Sequence, residues 1–286
     1  MYRIIAVVVT YNRPTFLNKL LAVLAEEQLE RILIIDNSLE DHRYSLPENA
    51  ILIRSKINIG GAGGYALGIQ NCVDFDPDFI WLLDDDAIPQ SGALKMLLNC
   101  YKEHLCRDFE IGYLCSKVLW ADTNQLCKMN IPVFKKSQKL DGQVVSCSFV
   151  SVLIRYTKIL EVGLPYKEFF IWYDDVEYTT RLSKVSYGLY VEDSIVRHYI
   201  PNNLGANFGN LDERNIFKYA HGIRNTVFCH LKDRNFRKLY RLFFRIRKEM
   251  LLKDVPINHR LIIYKWYLKG LIFHPTIEYI TFNNNS

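Results

Sequence analysis

Up to about Leu119, short continuous apolar runs alternate with stretches whose apolar residues recur at helical spacing. That alternation predicts β-α units around a mostly parallel sheet. Ile4 to Val9 reads as a buried first strand. Pro14 in a first turn, with Phe16, Leu17, Leu20, Leu21 and Leu24 on one face, predicts a helix that ends before a second strand, Arg31 to Ile35. Asp36-Asn37-Ser38 closes that strand with turn residues. A third strand, Ile51 to Ile53, leads into Asn58-Ile59-Gly60-Gly61-Ala62-Gly63-Gly64 and a helix through Ala66, Ile69 and Val73. Phe79 to Leu83 is the fourth strand. Ser146 to Ile154 predicts a later one, without alternation clean enough to name its buried face.

After Asp212 the pattern turns helical and basic in four segments. Within Leu239 to Leu251, the apolar residues 239, 242, 243, 246 and 250 share a helical face, with Arg241, Arg245 and Lys248 off it. Two readings stay open, a face packed on the rest of the protein or a face for a membrane. The expected organisation is a catalytic domain over 1–211 and a helical, basic region over 212–286 that serves acceptor or membrane association. Asn283-Asn284-Asn285-Ser286 is expected to fray.

With 49% hydrophobic and 23% charged residues, the 286-residue chain is globular and not disordered. Its seven cysteines include no Cys-x-x-Cys, so neither a disulfide framework nor a zinc site is indicated, and a reducing cytoplasm fits. The apolar start is too short for a signal peptide, and no window reaches the ~18 apolar residues of a spanning helix. A soluble or peripheral protein is expected, located in the cytoplasm or on the inner face of the cytoplasmic membrane. The net charge of +5 comes with basic residues gathered near the C-terminus and without RNA-binding signatures. An anionic membrane surface or lipid-linked acceptor therefore fits better than nucleic acid.

Asp84-Asp85-Asp86 directly follows the fourth strand. Three adjacent carboxylates repel one another, so a strand that ends on all three suggests a divalent cation bound through oxygen. The plain alternative is an acidic loop capping a helix that begins near Ser91. Thr10-Tyr11-Asn12-Arg13-Pro14 and Asp36 follow strands one and two, so they share a sheet edge with the acidic triplet, where a nucleotide could bind. Asp36 could equally open a turn. The glycine-rich Asn58 to Gly64 lets the chain approach a ligand closely or simply turns, and it lacks the Lys-Ser/Thr of a phosphate loop. Asp174-Asp175, after the aromatic run Phe169 to Tyr173, could supply a general base, or Asp174 and Glu177 could form a capping box. His198 beside an Asp would complete a mixed N/O site of the kind manganese tolerates, though a lone His is more often structural.

Taken together, these motifs resemble family 2 of the glycosyltransferases, most closely its bacterial galactofuranosyltransferase-like branch, over most of the chain to about Asn225. The resemblance implies the GT-A nucleotide-diphospho-sugar transferase fold with a helical C-terminal extension. It implies a divalent metal, Mn2+ or Mg2+, at Asp84, Asp86 and His198, and Asp175 as the catalytic base. Thr10, Asn12, Arg13, Asp36, Asn58, Gly60, Gly61, Asp84, Asp85, Trp172 and Asp174 are the expected nucleotide-sugar positions. Trp172, Tyr173, Glu177, Arg224 and Asn225 are expected on the acceptor side. The expected activity is inverting transfer of a sugar, galactofuranose from UDP-galactofuranose first and rhamnose from dTDP-rhamnose second. The expected acceptor is a lipid-linked or oligosaccharide hydroxyl in O-antigen or capsule biosynthesis. Polymerising relatives are longer, so one or a few additions are expected. A nucleotidyltransferase or a non-catalytic sugar-binding module are the distant rivals.

Overall fold

Strand β1 (Ile4–Thr10) is apolar from Ile4 to Val9, as a strand buried on both faces requires. Side chains on a strand alternate between faces. Ile5 and Val7 accordingly pack with Leu33, Tyr65 and Ile69 on one side, while Ile4, Ala6 and Val8 pack with Leu17, Leu20 and Leu21 on the other. Each such fully buried aliphatic contributes about 1.5–3 kcal/mol of transfer free energy. The computed structural model describes residues 2–105 and 109–282, so the predicted fraying of Asn283 to Ser286 lies outside the described residues.

In chain order β1 is followed by α1 (Pro14–Leu24), β2 (Arg31–Asp36), β3 (Ala50–Arg54), α2 (Gly60–Gln70), β4 (Phe79–Asp84), β5 (Ala87–Pro89) and α3 (Ala93–Leu105). Then come β6 (Ile111–Trp120), β7 (Val133–Phe134), β8 (Gln143–Ser146), β9 (Ser151–Arg155), α4 (Tyr156–Val162), α5 (Asp174–Leu182) and β10 (Tyr187–His198). Helices α6 (Ile216–Lys232), α7 (Phe236–Leu252) and α8 (Ile257–Leu271) close the described chain. The sheet runs β3-β2-β1-β4-β9-β6-β10-β8-β7, with β5 paired to β10. The β3-β2-β1-β4 half is parallel, β9 is antiparallel to both β4 and β6, and β6 is parallel to β10. This is the expected α/β fold with helices on both faces and a helical C-terminal region, but the sheet is mixed and not mostly parallel, because β5, β7, β8 and β9 all pair antiparallel.

Several local expectations are corrected. Ser146 to Ile154 is not one strand: β8 ends at Ser146 and β9 begins at Ser151. Between them the Cys147 amide donates to Thr179 Oγ1 of α5 at 3.1 Å, so the backbone leaves the ladder to bond a helix side chain. The acidic triplet does not cap a helix, because β5 intervenes before α3 begins at Ala93. The glycine-rich segment is the first turns of α2 itself, and Val73 lies beyond that helix in a 3-10 turn. A Cβ on Gly64 would stand 2.6 Å from Val9, and one on Gly68 2.4 Å from Val7, so α2 rests directly on β1. The four basic segments after Asp212 resolve into three described helices.

Helices α6, α7 and α8 share a core of their own, in which Leu242, Ile246 and Met250 of α7 are buried against Ile223, Val227 and Ile263. The apolar periodicity of α7 is thus used in packing. No described helix is long and apolar enough to cross a membrane.

Candidate active site

The acidic triplet and His198 meet because β5 pairs antiparallel with β10, with Ala87 opposite His198. The candidate ligand atoms of Asp84, Asp86 and His198 lie within 4.8 Å of one another. His198 Nε2 is 3.0 Å from Asp86 Oδ1, and Nδ1 is 2.9 Å from Asn130 Oδ1. An amide oxygen only accepts, so Nδ1 carries a proton, and in the neutral ring Nε2 is left with the lone pair that a metal requires. Two carboxylates and an imidazole nitrogen so oriented suit a divalent cation of the Mn2+ or Mg2+ type. Burial opposes charge on His198, but the bond and charge of Asp86 outweigh it and raise the imidazole to about 10, so at neutral pH Nε2 donates to Asp86 Oδ1 and a cation would have to displace that proton. Burial likewise works against ionised Asp86, while His198 and then Arg13 hold it below the usual carboxylate range.

The other carboxylates are held from neighbouring elements. Tyr65 of α2 donates to Asp84 Oδ1 at 2.6 Å, and its hydroxyl also lies 3.0 Å from the Leu83 carbonyl. Thr10 Oγ1 donates to Asp85 at 2.7 Å, and Arg13 bonds both Asp85, at 3.1 Å, and Asp86. Desolvation raises Asp85 to about 6, against the opposing pull of Arg13.

Asp174 and Asp175 open α5 after an unusual loop. Phe170 has φ 65° and ψ −61°, and the Ile171 amide donates to the Phe169 carbonyl at 2.7 Å, which closes a γ-turn of the rare positive-φ kind. Trp172 and Tyr173 follow at φ 69° and 73°. Such conformations in bulky residues cost on the order of 1–3 kcal/mol each, so the surroundings must impose them. The capping box, the structural alternative for this segment, is absent. Tyr173 occupies the N-cap position without a side-chain cap, and Glu177 instead pairs with Arg181 at 3.0 Å and Lys232 at 3.1 Å. Burial, then the charge of Asp175, pushes Asp174 well above the carboxylate range. Burial raises Asp175 to about 6, with Asp84 adding to the rise and the Val176 amide and Lys218 opposing it.

These groups border one cavity of about 400 Å³. Thr10, Arg13, Asn58, Gly60 and Gly61 line it from the ends of β1 and α2, and Asp84, Asp85, Asp86 and His198 from the ends of β4 and β10. Trp172, Asp174 and Asp175 line the same cavity. The remaining predicted positions lie outside this wall. Asp36 is 1% exposed and accepts from the Ser38 amide and Tyr44 hydroxyl, both at 2.9 Å. Asn12 donates its backbone N–H to Ser38 Oγ, and its side-chain oxygen lies 3.2 Å from His42 Nε2. Tyr173 and Glu177 line a different recess with Lys232 and Lys238. Arg224 and Asn225 turn to backbone carbonyls of residues 168–172. Sequence reasoning missed Asn130, Ser148 and Lys218 in the cavity wall and the grip of Tyr65 on Asp84. Only Tyr65 carried a signal, as the residue directly after the glycine-rich motif.

A mixed α/β sheet with acidic, metal-competent groups at its strand ends is the arrangement expected of a GT-A glycosyltransferase. The profile described as Glycosyl transferase family 2 matches residues 5–156, more than half of the chain, and the chain belongs to that family. It is similar to galactofuranosyltransferase GlfT1 of Mycolicibacterium smegmatis, at 27% identity over 197 residues, 62% of this chain and 64% of that protein. The chain thus spans less than two thirds of the curated relatives it matches. Among solved structures, S. aureus TarS 1–349 has a TM-score of 0.57 at 13% identity, covering 94% of this chain and 80% of its own. GalNAc-T7 with UDP, GalNAc and Mn2+ has a TM-score of 0.56 at 13% identity, covering 74% and 45%. At these identities the likeness concerns the fold.

Proposed function

We propose that this chain transfers galactofuranose from UDP-galactofuranose to a hydroxyl of a lipid-linked or oligosaccharide acceptor, with inversion, in assembly of a bacterial surface polysaccharide. One observation carries the reading: Asp84, Asp86 and His198 border the same cavity as Asp175. The galactofuranosyltransferases among its relatives support the choice of sugar.

Asp84, Asp86 and Nε2 of His198 would hold the cation, which supplies charge to offset that developing on the leaving diphosphate. Asp175 takes the acceptor hydroxyl proton as that oxygen attacks the anomeric carbon and the bond to the diphosphate breaks. A carboxylate raised to about 6 is ionised at neutral pH yet basic enough to accept a proton. Asn58, Gly60 and Gly61 offer backbone and a short side chain to the donor, and Trp172 offers an aromatic face to a sugar.

Residues 212–286 form the acceptor and membrane side in this reading. Its support is a second edge of α7 that is not used in packing, where Phe236, Tyr240 and Phe244 are 64%, 66% and 45% exposed among basic residues. An aromatic edge among cations suits an anionic bilayer surface on the cytoplasmic side.

The test is transfer and hydrolysis with a panel of nucleotide sugars plus Mn2+, with the anomeric configuration of the product read by NMR. UDP-galactofuranose should be consumed and the configuration inverted. Preference for dTDP-rhamnose would replace the donor, and transfer undiminished after exhaustive metal removal would overturn the mechanism.

A further inference from the structure

The loop that delivers Asp175 combines a γ-turn at Phe170 with positive φ at Trp172 and Tyr173, so something outside it must fix its shape. That support comes from both sides. From α2, the Ala62 amide donates to the Phe170 carbonyl at 3.1 Å, and a Cβ on Gly60 would stand 2.1 Å from that carbonyl oxygen. From α6, the side-chain amide of Asn225 lies 3.0, 3.3 and 2.8 Å from the carbonyls of Phe169, Ile171 and Trp172.

Asn225 is fully buried in the middle of a helix, where an uncompensated amide is costly. Its orientation is not free. Oδ1 accepts from Arg224 Nε at 3.0 Å and Nη2 at 2.8 Å, which turns both amide protons toward the loop. Arg224 Nη2 adds bonds to the carbonyls of Glu168 and Phe169 at 2.7 and 3.1 Å. One turn earlier, His221 packs on Phe170, and a Cβ on Gly222 would stand 2.6 Å from Trp172. The α6 face is therefore a template for the backbone of 168–172.

We propose that Asn225 is a positioning residue for transfer: it gathers three carbonyls of the strained loop and thereby fixes where Asp175 meets the acceptor hydroxyl. It touches no substrate, since it lies outside the cavity wall. The proposal rests on the assignment of Asp175 as base. A base displaced by about 1 Å loses on the order of 100-fold in rate.

Asn225→Asp is the sharp variant, because it keeps the volume and the acceptor for Arg224 while replacing the N–H donors with a carboxylate oxygen that repels the loop carbonyls. Asn225→Ala serves as the second. With UDP-galactofuranose as donor and UDP as the binding probe, kcat should fall about 100-fold in both while the UDP dissociation constant stays within about twofold. Amide hydrogen exchange over 170–176 should quicken in both, which decides the clamp without any donor. In an Asp175→Asn background, adding Asn225→Ala should cost little further activity, because the group being positioned is already gone. Additive losses, parallel loss of UDP binding, or unchanged exchange over 170–176 would overturn the proposal. Near-normal transfer by Asp175→Asn alone would instead remove the base assignment, and the exchange result would still judge the clamp.

Discussion

Nε2 of His198 lies 3.0 Å from Oδ1 of Asp86, joining residues 112 positions apart in the chain. The β5–β10 ladder makes this meeting a property of backbone pairing, with Ala87 opposite His198. Asp86→Ala should therefore abolish metal-dependent donor use while the ladder and the fold persist. Turnover with and without chelator, with circular dichroism as the folding check, tests this; wild-type turnover by the variant sinks the metal assignment.

Asp175→Asn should keep donor binding and lose transfer by ~100-fold to ~10,000-fold, since an amide preserves shape but cannot take a proton. Calorimetry with UDP separates the two effects. In the wild type, the base works only when ionised, and its pKa is raised to about 6. The kcat profile should fall as pH drops through about 6 and be level above it; a profile flat down to pH 4.5 would exclude Asp175 as the base.

Asp174 carries a stability cost. Burial and the neighbouring Asp175 charge hold its carboxyl well above the ordinary carboxylate range, so protonation is favoured by folding. Stability drawn from this group is present at acid pH, below the unfolded carboxyl's pKa of about 4, and is lost as pH rises through the folded pKa. Asp174→Asn removes the charge that burial penalises. It should be more stable than wild type at pH 8, by at least about 1 kcal/mol, because an isolated buried charge costs more than a buried amide. The gap should close toward pH 4. Thermal melts across that range decide, and a variant less stable than wild type at pH 8 would show that the Asp174 carboxylate holds the site together.

Anionic vesicles should recruit the wild-type protein at low salt, and reversing the charge of Arg241, Arg245 and Lys248 should release it, since each basic residue at such a surface contributes on the order of 1 kcal/mol. Sedimentation is the measurement. Wild-type protein that ignores the vesicles leaves α7 with packing as its whole role.

Strands β1, β2 and β4 were legible because burial on both faces demands continuous apolar runs with polar ends. Asp84, Asp86, Asp175 and His198 were legible as chemistry that needs partners. What the chain hid were long-range exchanges of bonding partner. Residues 147–150 look as strand-like as their flanks, but the Cys147 amide is claimed by Thr179. Asp174 and Glu177 have the spacing of a capping box, yet Glu177 is claimed by Arg181 and Lys232. The resemblance singled out Asn225, but for the acceptor side, and nothing local shows that its amide grips a carbonyl 56 residues away.

The contact of α2 with β1 also divides the cavity by how freely it can change. Behind the cavity lining at Val9 and Tyr65, Gly64 and Gly68 bring helix to strand so closely that any added side chain collides with Val9 or Val7, so this support is closed to substitution. Another part of the lining, at Asn130, Ser148 and Val150, comes from connections between strands. Diversification among descendants of this protein should therefore be written into those connections, leaving the glycines as a fixed ancestral mould.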